Sequence, residues 1–323
     1  MSGAVASALP ARAALVLRRS PIWVLAVLLF VGFSLASPHF LTPFNLGNII
    51  AQSAMIGFLA VGLTPVLISG NIDLSVGSVL GLSACLVIGL QADVGLPMAV
   101  ALTLAAGAGL GLFNGFLVEK IGINSFIVTL AGMIGVRGLA FLYAGDTSLS
   151  AVDLTLHDIG AYRIGPFTVI ALGFLVSVVL FQWMMKRTIH GRNTYAIGGN
   201  RVAAVDAGVP VSRHVMANFV LCGLMASVAG IAMASDLGAA TPSYGREYEL
   251  WAVIAVVLGG TSLRGGRGDL LGTFAAAIAL AILINGLNLV GVSPFYVSVI
   301  LGAALIVVLA VDRLSEPAAK AGE

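Results

Sequence analysis

Charge is what this chain has least of: only 9% of its 323 residues are Asp, Glu, Lys or Arg, against about 25% in an ordinary globular protein. Without a polar coat for a water-facing surface, a soluble enzyme is excluded. Aromatics are also sparse, at 7%, so the 59% hydrophobic content is carried by aliphatic and small residues, 40 glycines among the rest. That is the palette of helices packed in lipid. The two cysteines, Cys85 and Cys222, lie inside apolar stretches, where a thiol behaves as a small hydrophobe. The four histidines (His39, His157, His190 and His214) show no paired spacing with one another or with cysteine, so neither a metal site nor a cofactor is indicated. None of the three lysines follows a glycine, so the chain has no G-x-x-x-x-G-K-[ST] loop with which to hold ATP. G-x-S-x-G and H-E-x-x-H are missing as well, and so is the row of intramembrane acids or histidines that a proton relay needs. Sixteen basic against fourteen acidic residues leave +2, which points to neither nucleic acid nor an acidic partner.

What is present is a succession of apolar runs. A spanning helix needs about 20 such residues, and seven runs qualify: residues 49–69, 74–91, 98–118, 125–144, 166–185, 215–235 and 270–290. Residues 294–311 make a slightly short eighth, and 22–36 reads as an uncleaved first span behind Arg18 and Arg19. The charge-free stretch 250–263, interrupted by Gly259-Gly260, is either a tilted short span or a re-entrant piece. Counting it gives ten. Ten spans starting inside place thirteen Lys and Arg in the cytoplasm and only Arg163 and Arg246 outside, with Arg137 within a span, as the positive-inside rule requires. The expectation is therefore an all-α integral membrane protein of about ten transmembrane helices with both termini cytoplasmic. Residues 1–20 and 313–323 are its tails and 21–312 its transmembrane domain. Asn114-Gly115, followed by Gly122 and Ser125-Phe126, is echoed by Asn285-Gly286, then Gly291 and Ser293-Pro294-Phe295. An offset of five spans reverses orientation, so the echo suggests an inverted repeat of two five-helix halves.

Glycines recur every four residues at Gly107, Gly111 and Gly115, and again at Gly77 and Gly81, which predicts close helix packing. Residues 186–214 form the longest cytoplasmic connection. Within it Asn200 is a good N-cap, 201–207 can make two helical turns, Gly208 suits the position after the helix, and Pro210 prevents continuation. A short capped helix outside the membrane reads as a docking element. The stretch Ser69-Gly70-Asn71-Ile72-Asp73-Leu74-Ser75 breaks two apolar runs with polar groups. It either lines the substrate path or caps the following span, through Asp73 or Ser75. Arg137, thirteen residues into its span, faces the protein interior, either paired with an acid such as Asp73 or touching substrate. Asn114, Asn124, Asn285 and Asn288 lie near span ends, where their amides either join helices or meet a hydroxylated solute.

Three ordered motifs carry a family resemblance: residues 68–78 (Ile68 to Ser78), the loop 191–200 leading into Ala203-Ala204 and Ala207-Gly208, and 256–263 before Gly265-Gly266. Together they resemble the ribose-type sugar permeases of ATP-binding-cassette (ABC) importers, within the branched-chain amino-acid and ribose permease superfamily. One departure is Asn71, where that family more often has a second glycine. The resemblance implies a bacterial inner-membrane subunit paired with a second permease copy or a paralogue. It would receive a neutral monosaccharide from a periplasmic sugar-binding protein and be driven by cytoplasmic ATPase subunits, which bind the ATP. It also implies that Gly199, Asn200, Arg201, Ala203, Ala204, Asp206, Ala207 and Gly208 form the segment docking into the ATPase. A large charged residue at Ala203 or Ala204 is then expected to uncouple ATP hydrolysis from transport without unfolding the bundle. Rival readings are an ion-coupled secondary transporter and a branched-chain amino-acid permease.

Overall fold

A computed structural model describes residues 21–145 and 147–293, with isolated positions at 296, 299, 302, 303 and 306. Apart from those isolated positions, the predicted run 294–311 lies outside the described residues, as do both tails. Thirteen helices follow one another: α1 (Pro21–Ala36), α2 (Pro43–Ile68), α3 (Val76–Gly89), α4 (Gln91–Val94), α5 (Leu96–Phe116), α6 (Ser125–Ala144), α7 (Thr155–Ala161), α8 (Val169–Arg187), α9 (Ile189–Gly199), α10 (Arg201–Asp206), α11 (Val211–Leu237), α12 (Tyr248–Leu258) and α13 (Leu270–Leu289). A π-helical turn, Leu117–Ile121, extends α5. Among the described residues, six helices are long and apolar enough to span a membrane: α2, α5 with its extension, α6, α8, α11 and α13.

α2 is the axis of the bundle. Thr42 caps it, accepting from the Asn45 N–H, and Pro43 sets its first turn. From Ser53 to Ile68 every side chain is buried, against α8, α11, α12 and α13. The predicted glycine stripe of α5 packs on α11: an added Cβ at Gly107 would strike Ser227 and the Gly223 carbonyl, and at Gly111 the Phe219 carbonyl. The two backbones thus approach closely, gaining dispersion contacts that no larger residue permits. Several polar groups pair between helices inside the bundle: Thr64 with Thr273 at 3.0 Å, Ser83 with Ser227 at 2.8 Å, and Asn45 with Asn285 through reciprocal amide bonds of 3.0 and 2.9 Å. Both cysteines are buried.

Two of the predicted apolar runs give short helices, the first shorter than expected. Residues 74–91 resolve into a fourteen-residue α3 that begins only at Val76, because Asp73 Oδ1 accepts both the Ser75 N–H (2.9 Å) and the Ser75 hydroxyl (2.6 Å) and turns the chain first. Residues 250–263 give α12, eleven residues long. At 1.5 Å per residue it covers about 16 Å, half a bilayer core. It ends where Gly259 packs on the backbone of Gly272 and Gly260 turns with φ +92°. Small β elements also occur, unlike the all-α expectation: Leu149–Ser150 pairs with Ala239–Ala240, and Arg163–Ile164 with Phe167–Thr168.

Candidate functional site

Polar chemistry collects in three places. The first is a cleft of about 370 Å³ lined by Ser78, Met133, Ile134, Arg137, Arg246, Glu247 and Glu249. The turn segment between β-residue Ala240 and α12 packs against α3 here, and Arg137 of α6 clamps it by donating to the carbonyls of Pro242 and Tyr244 and, at 3.1 Å, to that of Gly77 in α3. Arg137 is therefore satisfied by backbone, which corrects the expected pairing with Asp73. The buried acid of this cleft is Glu249, in the first turn of α12, 9% exposed, with Oε2 lacking any hydrogen-bond partner. Gly77 is required opposite it, since a Cβ there would strike that carboxylate. Glu247, just before α12, holds φ at +68°, the one non-glycine with positive φ among the described residues. Such backbone costs of order 1–3 kcal/mol and concentrates at functional sites.

The second place is a closed knot rather than a cavity. Asp73, 1% exposed, holds Ser75, whose hydroxyl also accepts from Asn114 of α5 at 3.0 Å. Nearby, the Ile72 N–H donates to Ser125 Oγ (3.3 Å) and Thr129 donates to the Ile72 carbonyl (3.4 Å), tying in α6. The Asn71 side chain reaches Ser69, at 3.4 Å, while its backbone N–H donates to the Val66 carbonyl at 3.1 Å. The remaining predicted path residues do not join these groups. Asn124 caps α6 from an exposed position, Asn285 is committed to Asn45, and Asn288 is exposed on the last turn of α13.

The third place is one end of the bundle, where α9 and α10 sit. α9 starts at the Thr188 cap and lies on the end of α2 and on the turn between α12 and α13. The Tyr195 hydroxyl donates to the Gly268 carbonyl (2.8 Å), and the Gly266 N–H donates to that of Ile68 (2.8 Å). Gly198 is so close to Ile68 that its Cβ would collide with the carbonyl oxygen. Burial pushes the Tyr195 phenol up from its ordinary range. Lys186 at the end of α8 pairs with Asp269 at 3.1 Å.

Four side chains then join α9 to α11 and α2. Asn218 donates to the Pro65 carbonyl (3.3 Å), so its Oδ1 accepts from His190 Nε2 (2.8 Å). His190 Nδ1 is left to accept from His214 Nδ1 (2.9 Å), and His214 Nε2 accepts from Asn193 (2.9 Å). This assignment makes both imidazoles neutral and satisfies every group. The pair is 24 residues apart, and only the fold brings it together.

α10 forms as the sequence predicts. The Asn200 side chain accepts the Ala203 N–H at 3.0 Å, Gly208 follows the helix with φ +76°, and Pro210 starts the run into α11. Only Ala204 of this helix is buried. Val202 and Val205, which the sequence reading passed over, are 70% and 56% exposed on one face. Arg201 is anchored by a bidentate bond to Glu119 on the π-helical turn, at 2.9 and 2.8 Å, and the carboxylate raises its pKa. The Glu119 side chain is only 1% exposed, so the turn delivers a nearly enclosed acid to the base of α10. Glu119, Arg246, Glu247 and Glu249 were not singled out by sequence, because each sits at a helix end where a charge reads as a boundary.

Among the described residues, five long apolar helices around the buried axis α2, itself a sixth, with half-length α12 and polar groups grouped at its ends, make this a multi-pass membrane protein. The family described as branched-chain amino acid transport system / permease component matches residues 45–309, and the chain belongs to that family. It is a transport permease, not an enzyme. It is 39% identical over 290 residues to the ribose import permease protein of Bacillus subtilis (strain 168), covering 88% of this chain and 90% of that one. To the ribose import permease protein of Escherichia coli (strain K12) it is 38% identical over 298 residues, covering 90% and 92%. The xylose transport system permease protein of the same organism is 32% identical over 356 residues, covering 91% and 90%. No solved structure matches the chain significantly.

Proposed function

We propose that this chain is the membrane-spanning permease subunit of an ABC importer for a neutral monosaccharide of the ribose or xylose kind. Its sugar arrives on a periplasmic binding protein, and separate ATPase subunits drive it from the cytoplasm. The observation that carries the reading is α10: a capped two-turn helix projecting valines from the bundle while its base is pinned to Glu119 and, through α9, to Ile68 and Gly266. A push on such a helix is transmitted to α2, α11 and the α12–α13 turn together. Gly199, Asn200, Arg201, Ala203, Ala204, Asp206, Ala207 and Gly208 belong to this coupling segment.

The same reading takes ten spans in an inner membrane, both termini in the cytoplasm, and two inverted halves. The thirteen-to-two division of basic residues supports the orientation. Two permease copies, or this chain and a paralogue, enclose the path. Of the path residues, Arg137 belongs to the cleft, and we add Ser78, Arg246 and Glu249, whose donors and orphan acceptor suit sugar hydroxyls. Asp73, Ser75 and Asn114 act as a joint beside it, and Asn71, Asn124, Asn285 and Asn288 support helix ends.

Reconstitution with the ATPase and binding protein tests this. Sugar uptake must require both partners and ATP. Uptake by the chain alone on an ion gradient would make it a secondary transporter. A binding protein that holds a branched-chain amino acid instead of a sugar would move the cargo to the other branch of the family.

A further inference from the structure

An exposed groove of about 630 Å³ runs between α5 and α11, edged by Met184 of α8 and His190 of α9, and its walls have opposite character at its two ends. Leu112 of α5 and Met216, Val220 and Leu221 of α11 line its length, while Lys120 and Arg213 stand at one rim. α5 and α11 run antiparallel, with Gly115 against Met216 and Gly111 against Phe219, which places Lys120 and Arg213 at the same level. From Leu112 to Lys120 is eight residues, about 12 Å along a helical axis, close to the depth of one leaflet's hydrocarbon, roughly 15 Å.

Both cations are exposed, and neither has an ion-pair partner among the described residues. The acid beside Lys120 is already taken: the π-helical turn sends Glu119 to Arg201 and Lys120 to the groove. Two unpaired cations above an apolar trough at bilayer depth match one amphipathic shape, a phosphate headgroup over an acyl chain. A partner helix would gain from the trough but would leave the cations at its edge without counter-charge. We propose that this groove is a binding site for an anionic phospholipid of the leaflet at the α9–α10 end, with Lys120 and Arg213 on the headgroup phosphate. Placing that leaflet on the cytoplasmic side rests on the orientation given above. The lipid would brace the joint that carries α10, since Glu119 and Lys120 are consecutive.

The test uses the full chain in nanodiscs and detergent. Native mass spectrometry after delipidation should show phosphatidylglycerol retained over phosphatidylcholine by about thirtyfold, from a gain of about fivefold per basic group near the surface. Lys120→Gln with Arg213→Gln should abolish that preference while leaving phosphatidylcholine binding unchanged. Leu221→Trp, which fills the trough and keeps both cations, should weaken both lipids. Equal retention of the two lipids by the unsubstituted protein overturns the proposal even where a variant fails to fold. Displacement of phosphatidylglycerol by inorganic phosphate at millimolar concentration also overturns it, as does loss of ATPase binding with lipid retention unaltered. Labelling of the Ser212→Cys variant from the outer side would refute the orientation alone, because lipid preference is read without it.

Discussion

If α10 docks into an ATPase subunit through its exposed face, trimming that face must weaken the complex by an amount its exposure fixes. Fully burying a valine is worth about 1.5 kcal/mol. Scaling by the 70% and 56% exposure of Val202 and Val205 gives about 2 kcal/mol for the pair, or roughly 25-fold in affinity. Val202→Ala with Val205→Ala keeps one side-chain carbon at each position, so the expected loss lies between about tenfold and 25-fold. The helix itself survives, because alanine has the higher helix propensity and the Asn200 cap, the Arg201–Glu119 bond and buried Ala204 are untouched. Fluorescence titration of the ATPase subunit onto the permease in nanodiscs measures the affinity, and ATP-driven uptake in proteoliposomes follows its consequence. An affinity within twofold of the parent, with normal uptake, would refute docking through this face.

Position 204 behaves differently from 203: Ala204 is 4% exposed and its carbonyl accepts from Val209, so Ala204→Glu should lower the melting temperature, whereas Ala203→Glu should uncouple a folded protein. Replacing Asn45 or Asn285 singly by Leu leaves a buried amide unpaired and should cost about 1–3 kcal/mol, while the double substitution recovers much of that loss; equal effects of single and double changes in thermal melts would contradict the reciprocal pair. Arg137→Met strips a donor from three carbonyls and should destabilise the segment 241–247 by several kcal/mol, with Arg137→Lys restoring only part, as thermal melts and limited proteolysis near those residues would report. Gly198→Val should prevent α9 from seating on Ile68 and abolish uptake while the spectroscopic helix content stays unchanged; normal uptake would detach α9 from the mechanism.

The clearest agreement between sequence and structure lies where local chemistry is sufficient. Asn200, Gly208 and Pro210 mark out α10 because capping, left-handed backbone and a missing N–H act within one helical turn, and the helix ends within a residue of the predicted place. The Gly107, Gly111 and Gly115 stripe announced close packing for the same kind of reason, though not that α11 supplies the partner. Arg137 was correctly placed facing the interior, but its partners are carbonyls some 60 to 107 residues away, which no charge-pairing rule suggests. His190 and His214 looked unrelated for the same cause.

Apolar run length and the scarcity of charge settle by themselves that this chain lives in a membrane, because each is a one-dimensional property that the bilayer reads directly. The family is likewise legible in the three motifs, each a contiguous string. What the tertiary structure alone decides is which polar groups are isolated and which are answered. Asp73 is closed off by Ser75 and Asn114, Arg137 is occupied by backbone, Glu249 keeps an orphan oxygen beside a cleft, and Lys120 lines the α5–α11 groove while its neighbour Glu119 turns to Arg201. A polar side chain in a low-dielectric interior takes its meaning from the atoms within about 3 Å of it, and those atoms come from helices that only folding brings together.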